Sequence, residues 1–215
     1  MHIWVFLFLK LEELTYLNKP FFCKNLIHQI MRPYTGNGDN GHSSTAKINA
    51  IPKNHEIFEL LGNLDALNAQ IGVARTLVVN ETKTIDQILY KLQNELFDIG
   101  AAINLEDSSF PIKKALQEME STVLELHEPL PELRNFILPG GTAMAASLHI
   151  CRTKSREVER LFTAFYLQKD TFDELYLANF LKYLNRLSSL FFTLARYANF
   201  CVSVDDVIWQ PRAIK

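Results

Sequence analysis

Arg152, Arg156 and Glu159 stand at i, i+4 and i+7 of one segment, with Glu157 and Arg160 beside them. On a helix this spacing puts the three on one face. Guanidinium groups so placed can grip a triphosphate in bidentate fashion while Glu159 orients one of them; the competing reading is a solvated face with weak ion pairs. A second candidate, Gly36-Asn37-Gly38-Asp39-Asn40-Gly41, formally satisfies G-x-G-x-x-G. No strand precedes it and no βαβ alternation surrounds it, so the dinucleotide context fails. A loop rich in Gly, Asp, Ser and Thr can still cradle phosphates through backbone N–H groups, with hydroxyls or Asp39 holding a magnesium ion, and an ordinary solvated loop is its alternative. Asp65 and Asn68, at i and i+3, sit in an otherwise apolar stripe between Gly62 and Gly72, whose missing side chains let something approach closely. A carboxylate there is costly to bury unless paired, and an arginine is the natural partner. Asn185 and Arg186 interrupt a later stripe between Leu184 and Leu187.

The six histidines show no ligand spacing, so no protein-ligated metal is expected. Cys23, Cys151 and Cys201 are far apart, which argues against a disulfide framework or structural zinc and suits a reducing compartment. The 22 basic and 24 acidic residues leave a charge of −2, too little for a global field that would attract nucleic acid. No run approaches the ~20 apolar residues of a membrane-spanning helix. With 215 residues, 48% hydrophobic and 21% charged, the chain has the composition of a globular protein with a sizeable core.

The elements that must position these groups follow from apolar periodicity. Ile57, Leu60, Leu61, Leu64, Leu67, Asn68, Ile71 and Val78 recur at helical steps, and further helices are predicted over 85–103, 111–127, 143–167 and 171–200. Leu138-Pro139-Gly140-Gly141 is a sharp turn with Thr142 as N-cap of the fourth helix. Five helices with almost no strand-like alternation predict an all-α bundle. Residues 1–33 read as an N-terminal extension ahead of a helical domain over 34–215. Between Thr15 and Arg32 there is no acidic residue, a composition compatible with a mitochondrial presequence, although Glu12 and Glu13 upstream argue against a typical one.

In order along the chain come the glycine loop, G-N-L-D-A-L-N (62–68), F-D-I-G-A (97–101), F-I-L-P-G-G (136–141), R-x-x-x-R-x-x-E-R (152–160) and N-R-L-S (185–188). Together they resemble the PduO-type ATP:cob(I)alamin adenosyltransferases over about Tyr34 to Trp209. The resemblance implies a five-helix bundle of the cobalamin adenosyltransferase type, a homotrimer with ATP (with Mg2+) and cobalamin between subunits, and transfer of the 5′-deoxyadenosyl group of ATP to cob(I)alamin. Carried over by motif, Thr35, Gly38, Asp39, Gly41 and Lys53 match ATP-loop positions. Arg156, Glu159 and Asn185 match the helical part of the nucleotide site, with Arg156 and Asn185 in the catalytic roles. Asp65 and Arg152 match a salt-bridged pair joining subunits beside the corrinoid. Phe136 matches the aromatic ring that displaces the lower axial ligand of cobalt, and the turn after it is expected to hold it in place. The mitochondrial matrix, or otherwise the cytoplasm, is the expected compartment, with a cobalamin-dependent mutase as acceptor of the product.

Several positions depart from the family pattern. Asn37 and His42 replace hydroxyl residues, Lys47 to Lys53 lacks two glycines and an arginine, and Ala66, Glu157 and Ser189 replace an acidic residue, an arginine and an aspartate. These changes cluster on the ATP side, and Glu157 would reverse a charge beside the triphosphate. A pseudoenzyme of the same fold that has lost ATP turnover and binds corrinoid or a partner is therefore the alternative, and a helical protein-binding scaffold is a third reading.

Overall fold

The computed structural model describes residues 36–166 and 173–212. The chain divides into two compact units, Met1–His55 and Glu56–Lys215. The boundary expected at residues 33 and 34, and the extension before it, lie outside the described residues.

In the first unit the polar segment closes into a small antiparallel hairpin, β1 (His42–Ser43) with β2 (Ile51–Pro52), His42 facing Pro52 and Ser43 facing Ile51. Gly41, at φ +79°, makes the turn into β1. The connection is held by short polar side chains, a usual substitute for ladder bonds in tight loops. Thr45 Oγ1 accepts from the N–H groups of Lys47 and Ile48, and Ala50 N–H donates to Ser44 Oγ. Strands of two residues carry no periodic signal, so the sequence shows only a polar loop here.

The second unit is the expected five-helix bundle: α1 (Glu56–Arg75), α2 (Lys83–Leu105), α3 (Ile112–His127), α4 (Ala143–Tyr166) and α5 (Glu174–Cys201), with a 3-10 turn at Asn80–Thr82. Helix α1 stops at Arg75, short of Val78, because the N–H groups of Thr76 and Leu77 turn back to the Val73 and Ala74 carbonyls. Asp173 caps α5 by accepting from Tyr176 N–H at 2.8 Å, and Thr142 caps α4 by accepting from Ala145 N–H at 3.1 Å. The expected start of α5 at Thr171 and the end of α4 at Leu167 lie outside the described residues.

Helix α4 packs between α1 and α5, α5 also packs on α3, and α1 on α2. Leu60, Leu67, Ile71, Phe162, Phe180, Phe191 and Leu194 are fully buried between them. Each such side chain contributes about 1.5–3 kcal/mol of burial. The Phe162 and Phe180 rings stack across α4 and α5 with centroids 4.3 Å apart. Tyr183 on α5 donates to Glu95 on α2 at 2.7 Å, and Lys91 on α2 pairs with Glu118 on α3.

Candidate functional site

Helices α4 and α5 run side by side, and along their seam Arg156, Glu159, Arg160, Thr163 and Ala164 line a cleft of about 400 Å³ with Asn185. Of the face expected from Arg152, Arg156 and Glu159, the cleft takes Arg156 and Glu159, joined by Arg160 at i+4 of Arg156, whereas Arg152 does not line it. Among the described residues, neither Arg156 nor Arg160 has an ion-pair partner in the chain. The expectation that Glu159 orients an arginine is corrected: Glu159 Oε1 accepts from Asn185 Nδ2 at 2.9 Å. Asn185 Oδ1 in turn accepts from Arg186 at 3.2 Å, and Arg186 is held by Glu120 of α3 at 2.9 Å. This chain fixes the amide plane of Asn185, leaving one of its N–H bonds for a ligand while both guanidinium groups remain available. Two arginines and one carboxylate make a locally cationic cleft on a chain of nearly zero net charge.

Glu157 does not line the cleft. It pairs with Lys154, one turn earlier, at 2.8 Å. The charge reversal noted in the sequence is thus taken up by a neighbouring cation on α4.

In the first unit, the hairpin brings Gly38, Asp39, Gly41 and Lys53 together: Lys53 N–H donates to Gly41 O at 2.9 Å, and Asp39 and Gly41 N–H groups close turns on the Gly36 and Gly38 carbonyls. Ala50, where the family has an arginine, takes φ +54°, a conformation unfavourable for a side chain with Cβ. Thr35 lies outside the described residues.

Asp65 is exposed on α1, off the buried stripe, and pairs with nothing in its own chain among the described residues. Its neighbour Asn68 is structural: buried, it donates to Gln93 O at 3.0 Å, while Gln93 Nε2 returns a bond to Asn68 O across Gly72. Gly62 has open space around it. On α4, Arg152 Nε and His149 Nδ1 are both buried without a hydrogen-bond partner among the described residues. Burial first and the Arg152 charge second hold the His149 pKa below the usual imidazole value. Burial pushes the Cys151 thiol up to about 12, which leaves it an unreactive core residue.

Phe136 lies in the segment between α3 and α4 and is 79% exposed. The turn after it is sharp, with Gly141 at φ +99° directly against Asn199. Yet the turn is not alone in placing the ring. The chain after α5 reverses at Ser203 and pairs antiparallel with Phe136–Leu138, Ile137 facing Ile208, and Trp209 meets the Phe136 ring edge to face at 6.1 Å. Sequence reasoning missed this return segment and its anchors Arg196, Asn199 and Asp206. The one available signal was Arg196 itself, a charge in the apolar stripe of α5 that demands a buried partner.

Comparison with known proteins bears on the whole arrangement. The family model described as cobalamin adenosyltransferase matches residues 33–198. Human corrinoid adenosyltransferase MMAB is 37% identical over 179 residues, 79% of this chain and 70% of that protein. The corrinoid adenosyltransferase of Mycobacterium leprae is 34% identical over 192 residues, 85% of this chain and 97% of that protein. Among solved structures, a variant PduO-type ATP:corrinoid adenosyltransferase from Lactobacillus reuteri, complexed with cobalamin and ATP, superposes with a TM-score of 0.76 at 28% identity, over 84% of this chain and 100% of that one. A five-helix bundle with the motifs in family order, matched over most of its length by family model, relatives and structure, belongs to the cobalamin adenosyltransferase family.

Proposed function

We propose that the protein transfers the 5′-deoxyadenosyl group of ATP to cob(I)alamin. The observation that carries this reading is the α4–α5 cleft, where Arg156 and Arg160 have no ion-pair partner among the described residues and stand beside an oriented Asn185. The reduced cobalt attacks C5′ of ATP, the new Co–C5′ bond forms as the C5′–O5′ bond breaks, and tripolyphosphate leaves with the bonding pair. The protein's part is positioning and charge neutralisation. Arg156 takes the growing negative charge of the leaving group, Asn185 donates its remaining N–H to a phosphate oxygen, and Glu159 holds Asn185 in register. Gly38, Asp39, Gly41 and Lys53, with Thr35, are the residues of the polar loop that bind the phosphates of ATP. Mg2+ enters with the phosphates, as this ion usually does, and needs no protein cage.

On the corrinoid side, Phe136 presents an apolar ring to the lower face of the substrate, where it excludes an axial oxygen or nitrogen ligand. Asp65 pairs with Arg152 of the partner subunit in a homotrimer; the exposed carboxylate and the buried, unpartnered Arg152 Nε support this reading. The composition of residues 15–32 supports the mitochondrial matrix as the compartment, and a cobalamin-dependent mutase is the class of enzyme that would use the product.

The test is turnover: purified protein, ATP and chemically reduced cobalamin should yield adenosylcobalamin and tripolyphosphate in equal amounts. Corrinoid binding without product would replace this reading with the pseudoenzyme. The strained Ala50 in the loop favours looking for that outcome.

A further inference from the structure

We propose that residues 203–209 form a positioning strap for Phe136, with the Arg196–Asp206 ion pair as its latch and the Trp209 ring as its brace. This role rests on the reading of Phe136 as the ring beneath the corrinoid. The segment between α3 and α4 is fastened at three places, each time to α5 or to the chain just after it. At its start, Arg196 donates to Pro131 O at 2.6 Å. At its middle, Leu138 N–H donates to Val207 O at 2.7 Å and Trp209 N–H to Phe136 O at 2.8 Å. At its end, Asn199 Nδ2 donates to Gly140 O, and Asn199 Oδ1 accepts from the N–H and hydroxyl of Thr142 at 2.9 and 3.1 Å.

The latch sets the register. Arg196 is 3% exposed, and a guanidinium that deep requires a carboxylate, which Asp206 supplies at 2.7 Å. Asn199 Nδ2 also reaches Asp206, at 3.4 Å. With Asp206 fixed, the next residues can meet Phe136–Leu138 in one alignment only. Ile137 then faces Ile208, and side chains alternate across the pair. Phe136 and Trp209 therefore share one face with Leu138 and Val207, while Ile137 and Ile208 turn to the other. An exposed phenylalanine on a free loop samples several rotamers, and ordering it requires a neighbour that excludes the others. Trp209 is that neighbour. The order of cause runs from a buried charge on α5, through the register of a two-bond ribbon, to the orientation of one ring.

The experiment compares full-length wild-type protein with Asp206→Asn, Trp209→Ala and Trp209→Phe by two readouts. With ATP and cob(II)alamin, electron paramagnetic resonance reads the signal of four-coordinate cobalt; without cobalamin, hydrogen exchange reads the Leu138 amide. The expected result is loss of the four-coordinate signal in Asp206→Asn and Trp209→Ala with ATP affinity unchanged, its retention in Trp209→Phe, and Leu138 exchange about tenfold faster in Asp206→Asn. A full signal in Trp209→Ala, or unchanged Leu138 exchange in Asp206→Asn, overturns the strap. If wild-type protein gives no four-coordinate signal, the reading of Phe136 fails instead, and the exchange rates alone decide the strap: faster supports it, unchanged refutes it.

Discussion

Arg156 and Glu157 are adjacent on α4 yet belong to different chemistry, because successive helical residues point about 100° apart. Arg156 lines the cleft with no ion-pair partner among the described residues, whereas Glu157 is neutralised by Lys154. Removing a charge-assisted bond to phosphate costs roughly 1.5–3 kcal/mol, so Arg156→Ala should weaken ATP binding by at least about tenfold in calorimetry. Glu157→Gln only frees an exposed ion pair, worth about 0–1 kcal/mol, and should leave affinity within about a factor of two. A large gain from Glu157→Gln would show that the lost family arginine matters after all. His149 gives the expected pH response. Its folded-state pKa is lowered by burial and by Arg152, so the unfolded chain binds the proton more readily. Stability from this group is complete above about pH 6.5 and falls as pH drops toward the folded value. Thermal melting should therefore decline as pH falls below about 6.5, and His149→Gln should flatten that slope. An equal slope in both proteins would assign the decline to other groups.

At the scale of elements, the segment joining α3 to α4 depends on a backbone conformation that one residue type supplies. Gly141 has φ +99°, and a Cβ there would lie 2.3 Å from the Asn199 side chain. Alanine would meet both the left-handed penalty and that clash, so Gly141→Ala should destabilise the protein by more than about 1 kcal/mol in urea unfolding. Because Asn199 must move to relieve the clash, the bonds it makes to Gly140 and Thr142 weaken with it. A substitution that left both stability and corrinoid binding unchanged would show that the segment tolerates another path. Contrast Gly62, with open space around it and a helical backbone, where alanine is expected to be harmless.

For the whole molecule the question is what covers the polar groups a single chain leaves open. Asp65 is exposed, and Arg152 Nε is buried with nothing to bind among the described residues. Pairing them between subunits resolves both, and breaking a pair buried by assembly costs roughly 3–5 kcal/mol. Sedimentation should find a trimer for the wild type, dissociation at higher concentrations for Asp65→Ala, and partial recovery when the charges are exchanged as Asp65→Arg with Arg152→Asp. A monomeric wild type would remove the composite corrinoid site.

Five helices and most of the cleft were legible in the sequence, because apolar recurrence at three and four residues and the spacing of Arg156 and Glu159 are local properties that the helix converts directly into shared faces. The resemblance carried Asn185 to the same place, although nothing local says that Glu159 would bond to it rather than to an arginine. The hairpin over 42–52 was not legible, since two-residue strands have no period and their register depends on which carbonyl Lys53 finds. Nor was the fastening of Phe136. Its contacts join residues 57 to 73 positions apart, as in Thr142 with Asn199 and Phe136 with Trp209. Only the packing of α5 against the rest of the bundle decides that a charged residue in its stripe is buried, that Asp206 must return to meet it, and that Trp209 then lies against the ring.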